Sequence, residues 1–263
     1  MPYTHGHAES VLRSHRMRTV GNSAAYLLPY VRPDHRVLDV GAGPATITAD
    51  LAGLVRDVVA VEIDEEAAAI ARAGLAERGV VNAEVLVGDV HDLDLATHTF
   101  DVVHAHQVLQ HVADPVVALR EMARVTRPAG VVGVRDSDYT AFAWYPRLPG
   151  LDRWLELYLA AARANGGEPA AGRHLLAWAH AAGLYDVTAS STTWCFATPE
   201  SRAWWGGMWA DRVTGSALAD QLVDQGHATR EELGEIADAW LGWAAHPDGW
   251  LSIPHGELVI TVP

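Results

Sequence analysis

A glycine-rich turn preceded by an acidic residue is the most informative motif in this chain. It covers residues 39–45, and Gly41 and Gly43 directly follow a short apolar run that ends at Val40. Glycine permits dihedral angles that other residues resist, and it lets a ligand approach the backbone closely. The carboxylate of Asp39 matches a pyrophosphate poorly but suits a positively charged ligand, such as an ammonium or a sulfonium. Taken alone, the turn also fits a tight strand-to-helix connection.

Two further carboxylates follow later apolar runs. Glu62 lies about 20 residues after the first glycine of the turn, where a carboxylate can accept hydrogen bonds from both hydroxyls of a ribose. Each charge-assisted hydrogen bond of this kind contributes about 1.5–3 kcal/mol. In Gly88-Asp89-Val90, the carboxylate can accept the amino group of adenine, and the next backbone N–H can meet a ring nitrogen. The alternatives are a solvated acid at Glu62 and a turn cap at Asp89.

Histidines and one further aspartate are the candidates for proton transfer. The chain has 14 histidines, and histidine is the natural proton acceptor near neutral pH. His106 follows the fourth apolar run and is expected to line an acceptor site, whereas His111 is more consistent with a structural role. Asp136 follows the fifth run and either faces the same cleft or lies in a water-exposed turn. His7, together with His5, precedes the first predicted helix and is the third catalytic candidate.

Composition excludes several classes of function. Lys and Arg number 19 against 33 Asp and Glu, and the formal charge of −14 argues against a nucleic-acid partner. The single cysteine, Cys195, allows neither a disulfide framework nor a zinc site built from cysteine pairs. No His-Glu-x-x-His motif is present, and we expect no metal. Because the chain has no apolar run of about 20 residues and no leader-like start, we expect a cytoplasmic protein without membrane insertion.

An alternation of strands and helices predicts an α/β fold. Apolar runs predict buried strands over 36–40, 58–61, 83–87, 100–103 and 131–134. Helical patterns separate them over 45–55, 65–78 and 115–127. Because the runs are almost continuously apolar, both faces of the parallel sheet should be covered. Ligands in such sheets bind beyond the carboxyl ends of the strands, where the motifs above lie.

The rest of the chain is predicted to flank this sheet. The N-terminal part is a predicted helical lid over 1–30, with a helical pattern over 8–30. A core over 31–147 follows. The C-terminal part over 148–263 is predicted to complete the sheet at about 184–196 and 256–262, with a helical cap inserted at about 199–250. The chain contains 10 Trp against 3 Phe. We hypothesise that indole rings in 141–150 and 194–215 line an apolar acceptor pocket, with core packing as the alternative.

Together, these motifs resemble class I S-adenosylmethionine-dependent methyltransferases, most closely the ubiquinone/menaquinone-biosynthesis-type branch that acts on small molecules. The resemblance covers about residues 35–138 and depends on the motifs at 39–45, Glu62, Gly88-Asp89 and 100–112. The departure is Ala45, where many members have glycine; alanine is small enough that we expect no loss of binding.

The resemblance implies a Rossmann-like, doubly wound and mostly parallel seven-stranded sheet, with S-adenosyl-L-methionine as cofactor and S-adenosyl-L-homocysteine as product. It implies the methionine moiety near Asp39, Gly41 and Gly43, the ribose on Glu62 and the adenine on Asp89. It places His104 and Gln107 near the sulfonium. The full set of predicted cofactor-binding residues is Asp39, Gly41, Gly43, Ala45, Glu62, Ile63, Gly88, Asp89, Val90, His104 and Gln107.

The expected reaction is methyl transfer to O, N or C of a small, aromatic or apolar metabolite, by a monomer or a homodimer. Two alternatives remain. An NAD(P)-dependent oxidoreductase is disfavoured by Thr46, which stands where the dinucleotide fingerprint has its third glycine, and by Asp39. A non-methylating or regulatory protein with the same cofactor fold is not excluded, because these motifs indicate binding and not the outcome of a reaction.

Overall fold

The computed structural model describes residues 9–263, so the catalytic candidate His7 lies outside the described residues. The chain divides into two compact units. The sheet unit comprises 15–137, 171–192 and 255–263, and the helical unit comprises, among the described residues, 9–14, 138–170 and 193–254. None of the helices in residues 9–263 has the length and apolar character that crossing a membrane requires.

A mostly parallel sheet forms the sheet unit, as the sequence predicts. The strands are β1 (Arg36–Val40), β2 (Asp57–Glu62), β3 (Ala83–Val87), β4 (Phe100–His106), β5 (Thr126–Ser137), β6 (Ala143–Tyr145), β7 (Val187–Phe196) and β8 (Trp250–Thr261). The first five are parallel in the order β3-β2-β1-β4-β5, and β8 pairs antiparallel with β5 and also with β7 at its side. Seven strands were expected. The eighth is β6, whose three residues pair with the start of β8 inside the helical unit and are too few to give a periodic signal.

Helices connect the strands and form most of the helical unit. Within residues 9–263 they are α1 (Glu9–Arg16), α2 (Val20–Ser23), α3 (Thr46–Ala52), α4 (Glu65–Glu77), α5 (Pro115–Val125), α6 (Pro149–Ala164), α7 (Ala171–Ala181), α8 (Pro199–Gly215), α9 (Ala217–Asp224) and α10 (Arg230–Ala245). Short 3-10 helices cover Ala25–Tyr30, Leu109–His111 and Tyr139–Ala141.

The region predicted as helical over 8–30 forms three short helical segments in the structure, and the chain breaks before α2. Thr19 has extended backbone and caps α2: its hydroxyl accepts from the Asn22 N–H at 3.2 Å, and the Asn22 side chain accepts from the Thr19 N–H at 2.8 Å. The Asp50 carboxylate also accepts from the Val20 N–H at 2.9 Å. This capping box satisfies backbone donors that a continuous helix would have paired internally, so a new helix begins here.

Strand register places a row of ionisable residues on one face at the carboxyl end of the sheet. Asp39 on β1 pairs with His104 on β4, and His106 on β4 pairs with Arg135 on β5. Arg135 in turn lies opposite Glu257 on β8. Because residues two apart on a strand share a face, all of these side chains lie on the same side of the sheet. The opposite face carries the large apolar core of the unit.

Tryptophans of the helical unit form a buried aromatic cluster. Trp154 on α6 contacts Trp209 on α8 and Trp240 on α10, with ring centroids 4.6 and 4.8 Å apart. Trp243 is likewise fully buried and donates its indole N–H to the Tyr145 carbonyl at 3.1 Å. Core packing therefore accounts for these rings, and an acceptor pocket formed by 141–150 and 194–215 stays a prediction.

We expect Gly74→Ala to lower the free energy of unfolding by about 1–3 kcal/mol, the usual cost of overpacking. Gly74 lies inside α4, and an added Cβ would sit 2.2 Å from the carbonyl oxygen of Pro44 in the glycine turn. The matched control is Gly242→Ala inside α10, where an added Cβ meets nothing within 4 Å. Helix propensity alone should make that variant about 1 kcal/mol more stable. Urea unfolding measures both, and equal stabilisation of the two variants would contradict the close packing of α4 on the turn.

Candidate active site

The glycine turn has a backbone that only glycine adopts easily. Gly41 has φ of 68° and Gly43 has φ of 57°, both in the left-handed region. The Gly41 N–H donates to the Val61 carbonyl at 2.8 Å, which ties the turn to β2. A Cβ at Gly41 would also sit 2.5 Å from a methyl group of Val108. Conformation and space therefore both require glycine at this position.

Ala45 shares this left-handed geometry without being glycine. Its φ is 55°, it is fully buried, and it stands at the residue before α3. An L-residue pays roughly 1–2 kcal/mol in this conformation. The backbone therefore gives a physical reason for the glycine that many resembling sequences have here. The methyl group of Ala45 packs in a small cluster with alanines of β2 and α4.

Glu62 lies against the turn at the end of β2. One of its carboxylate oxygens accepts a hydrogen bond from the Gly43 N–H. The side chain is buried, and this burial raises the pKa of Glu62 to about 7, partly offset by the Gly43 N–H. Its neighbour Ile63 is mostly exposed. The structure thus brings Glu62 and the glycine turn together, as a shared ligand would require.

Asp39 lies beneath the turn as a buried and fully engaged carboxylate. One oxygen contacts His104 Nδ1 at 2.8 Å and the other accepts from the Thr48 hydroxyl at 2.6 Å. His104 has no exposed surface, because the register sets it directly opposite Asp39 inside the sheet. His104 therefore holds Asp39 inside the sheet, and its predicted position near the sulfonium stays a prediction.

Asp89 caps a turn at the end of β3. Its carboxylate accepts from the His91 N–H at 2.9 Å, and this hydrogen bond is the main reason that the pKa of Asp89 lies below its ordinary value. The side chain is half exposed, so it stays accessible to a ligand. Gly88 is tied to β2 by its N–H, which donates to the Glu62 carbonyl at 2.8 Å, and Val90 is buried. The capping alternative is confirmed, and the adenine contact stays a prediction.

A small pocket lies at the glycine turn. It is lined by His15, Arg18, Asp39, Gly41, Ala42, Pro44, Thr46, Ile47 and His106. Three of these were predicted as site residues, namely Asp39, Gly41 and His106. His15 and Arg18 were missed. The sequence signal for Arg18 is weak, because three arginines lie within 13–18 and nothing in the pattern selects one of them.

His106 is buried next to a second histidine that the sequence analysis did not single out. The rings of His106 and His255 are stacked with centroids 6.1 Å apart. Burial, with Arg18 and Arg135 nearby, holds the pKa of His106 well below its ordinary value. Gln107 bonds both to Arg18, at 2.6 Å, and to His255, at 2.9 Å. His106 is therefore a neutral ring beside the pocket at neutral pH.

Asp136 is fully buried and holds the turn after β4. Its carboxylate accepts from the Gln110 N–H at 3.1 Å, and Ser137 donates its hydroxyl to the Gln110 side chain at 2.9 Å. Burial raises the pKa of Asp136 to about 7. The water-exposed alternative is wrong, and Asp136 does not line the pocket described above. His111 contacts Gln110 at 3.0 Å, and burial lowers its pKa to about 3, consistent with a structural histidine.

Residues 9–263 contain no group of three or more His, Cys, Asp or Glu side chains arranged to hold a metal ion. The ionisable row is instead paired internally. Arg135 and Glu257 are both buried and form an ion pair at 3.0 Å, and Thr192 donates to the same carboxylate. Such pairing is what makes buried charges tolerable.

Comparison with known proteins gives a consistent result. A family model described as "Methyltransferase domain" matches residues 38–134. An uncharacterized methyltransferase of Schizosaccharomyces pombe is 33% identical over 270 residues, which cover 98% of this chain and 95% of the relative.

Two solved structures share the fold over most of the chain. Phosphoethanolamine N-methyltransferase 2 of Haemonchus contortus, in complex with phosphomonomethylethanolamine and S-adenosylhomocysteine, has a TM-score of 0.58 at 15% identity and covers 91% of this chain and 52% of that one. The [4+2]-cyclase SpnF has a TM-score of 0.54 at 19% identity and covers 97% and 81%.

The raised pKa of Glu62 predicts a pH-dependent stability. Below pH of about 4.5 the group holds its proton in both states, and between about 4.5 and 7 only the folded state keeps it. The free energy of unfolding should therefore fall as pH rises through this window, by at most about 1.4 kcal/mol per pH unit for this group. Urea unfolding across the window should give a shallower slope for Glu62→Gln than for wild type. The exposed control Glu77→Gln should keep the wild-type slope, and an unchanged slope in Glu62→Gln would contradict the assigned burial.

Proposed function

The chain belongs to the class I S-adenosylmethionine-dependent methyltransferases, and from this premise we propose that it methylates O, N or C of a small, aromatic or apolar metabolite. The full-length relative carries the family assignment. The proposed location of the site rests on one observation: the glycine turn, Glu62 and His106 lie together at the carboxyl ends of the strands. The formal charge of −14 supports a small acceptor over a nucleic acid.

The residues present fit the nucleoside half of the cofactor. The Glu62 carboxylate already accepts a backbone N–H at the turn, so it faces the space where ribose hydroxyls would donate. Asp89 has an accessible carboxylate at the end of the neighbouring strand β3. We assign Glu62 to the ribose and Asp89 to the adenine. Gly41 lets Val108 pack directly against the turn, because any Cβ at this position would collide with Val108.

The cofactor supplies a methyl group that is already activated on a sulfonium. The protein therefore acts mainly by alignment, and positioning of this kind can supply up to about 7–11 kcal/mol of a barrier. Asp39 beneath the glycine turn and Asp136 beneath the turn after β4 hold the two backbone segments on which this alignment depends. Few side chains need to take part in the chemistry itself.

His106 is the residue that we assign to proton removal. An acceptor that reacts through an O–H or an acidic C–H must lose a proton, and a neutral imidazole can receive it. The position of His106 in the lining of the pocket supports this assignment. Burial keeps its ring neutral at neutral pH, and also makes it a weaker base than an exposed histidine. Asp136 lacks access to the pocket and is instead a positioning residue. For an amine that reacts as the free base, His106 is not required.

We expect Glu62→Ala to weaken binding of S-adenosylhomocysteine by about 10- to 100-fold, the loss of one or two charge-assisted hydrogen bonds. Isothermal titration calorimetry measures this directly. Glu77→Ala removes an exposed carboxylate from α4 and should bind like wild type. Glu62 is a cleaner target than Asp39, whose removal would leave His104 and Thr48 without their partner inside the sheet. An unchanged dissociation constant in Glu62→Ala would refute the ribose assignment.

We expect His106→Asn to lower kcat toward a phenolic or carbon-acid acceptor by about 100-fold or more, within the range for general-base catalysis. The assay is transfer of a labelled methyl group from the cofactor to a panel of phenols, carbon acids and amines. Its control is His227→Asn, an exposed histidine that should leave turnover unchanged. Full activity of His106→Asn on phenols would remove its role as base. Cofactor binding without label transfer to any acceptor would instead favour a non-methylating reaction, as the shared fold with the [4+2]-cyclase SpnF allows.

A further inference from the structure

We propose that Arg18, Gln107 and His255 form a positioning chain that holds Arg18 for the carboxylate of the cofactor's methionine tail and fixes His255 as a neutral ring. The proposal rests on the proposed cofactor site. It adds two residues that neither the motifs nor the comparisons assign, Arg18 and His255. All three side chains belong to the sheet unit.

The direction of each hydrogen bond in this chain follows from what the groups can donate. Arg18 contacts the Gln107 side-chain oxygen at 2.6 Å, and a guanidinium only donates, so the amide oxygen must face it. The amide nitrogen of Gln107 then faces His255 Nε2, 2.9 Å away. That nitrogen only donates, so His255 Nε2 must accept and the ring proton must be on Nδ1. The guanidinium at one end thus sets the tautomer at the other.

Backbone contacts fix the middle and the far end of the chain. Gln107 has φ of 55°, a conformation that costs a non-glycine residue about 1–3 kcal/mol, and its N–H donates to the Arg135 carbonyl at 2.7 Å. His255 has no exposed surface, and Ser191 donates its hydroxyl to the His255 carbonyl at 2.8 Å. A strained residue held in place by its neighbours is typical of a functional position.

Arg18 is the cation of the pocket at the glycine turn. The methionine tail carries a carboxylate, and an arginine matches a carboxylate in both charge and planar geometry. Asp39 is the acidic residue of the same pocket, and both of its oxygens already have partners. A fixed guanidinium loses less conformational entropy on binding than a free one, which is what the bond to Gln107 provides.

The neutral state of His255 also matters for His106. The two rings are stacked, so a charged His255 would oppose the arrival of a proton on His106. Because Nε2 of His255 accepts from Gln107, the ring cannot be an imidazolium in this arrangement. The chain therefore links cofactor positioning to the readiness of the proposed base.

The first experiment compares two ligands that differ in the methionine tail. S-Adenosylhomocysteine carries the carboxylate, and 5′-methylthioadenosine lacks the amino-acid end. We expect Arg18→Gln and Arg18→Lys to weaken the first ligand, by about 10- to 100-fold for glutamine, and to leave the second unchanged. Equal weakening of both ligands, or of neither, would overturn the role of Arg18. Retained 5′-methylthioadenosine binding also shows that the variant is folded.

The second experiment reads the tautomer of His255 by nitrogen-15 NMR of histidine-labelled protein, without any ligand. Wild type should show a neutral His255 with its proton on Nδ1. Gln107→Glu offers only acceptors, so it should move a proton to Nε2 of His255, while Gln107→Leu should leave no fixed tautomer. A wild-type proton on Nε2 would overturn the chain. If wild-type protein failed to bind S-adenosylhomocysteine at all, the proposed function would fail, and the NMR result would still stand as an independent test of the chain.

Discussion

The pairing of the buried Asp39 carboxylate with His104 and Thr48 is the interaction on which the site depends. A charged carboxylate removed from water is costly unless its oxygens are hydrogen-bonded, and here both are. These two bonds join β1, β4 and α3 directly below the glycine turn. The turn above them contains left-handed residues at three alternate positions, Gly41, Gly43 and Ala45.

Much of the sheet could be predicted from the sequence because strands that are buried on both faces are almost continuously apolar. Strands β1, β2 and β3 are short apolar runs that end at polar motifs, and their observed bounds agree with the prediction within about a residue. The break near Thr19 was missed because capping depends on side-chain hydrogen bonds that periodicity does not record. Strand β6 was missed because its three residues are too few to show an alternating pattern.

The candidate site could be predicted only for residues that belong to a local motif at the end of a strand. The turn, Glu62 and Asp89 each stand at the end of their own strand, so position in the chain identified them. Arg18 and His255 are separated by most of the chain and are linked through Gln107, so no local pattern in the sequence identifies either one. Asp136 was placed at the correct strand end, but its burial could not be predicted, because a strand end can point its side chain inward beneath a neighbouring turn as well as outward.

The one-sided arrangement of ionisable residues has a consequence for how this protein can change. His106 and its strand neighbour Ala105 point to opposite faces, as do Arg135 and Val134. Loss or gain of a single residue inside β4 or β5 would exchange the two faces beyond that point, and would set methyl and isopropyl groups where the polar row stands. We therefore expect homologues of this protein to differ freely in loop length. In β4 and β5 we expect only insertions or deletions of an even number of residues.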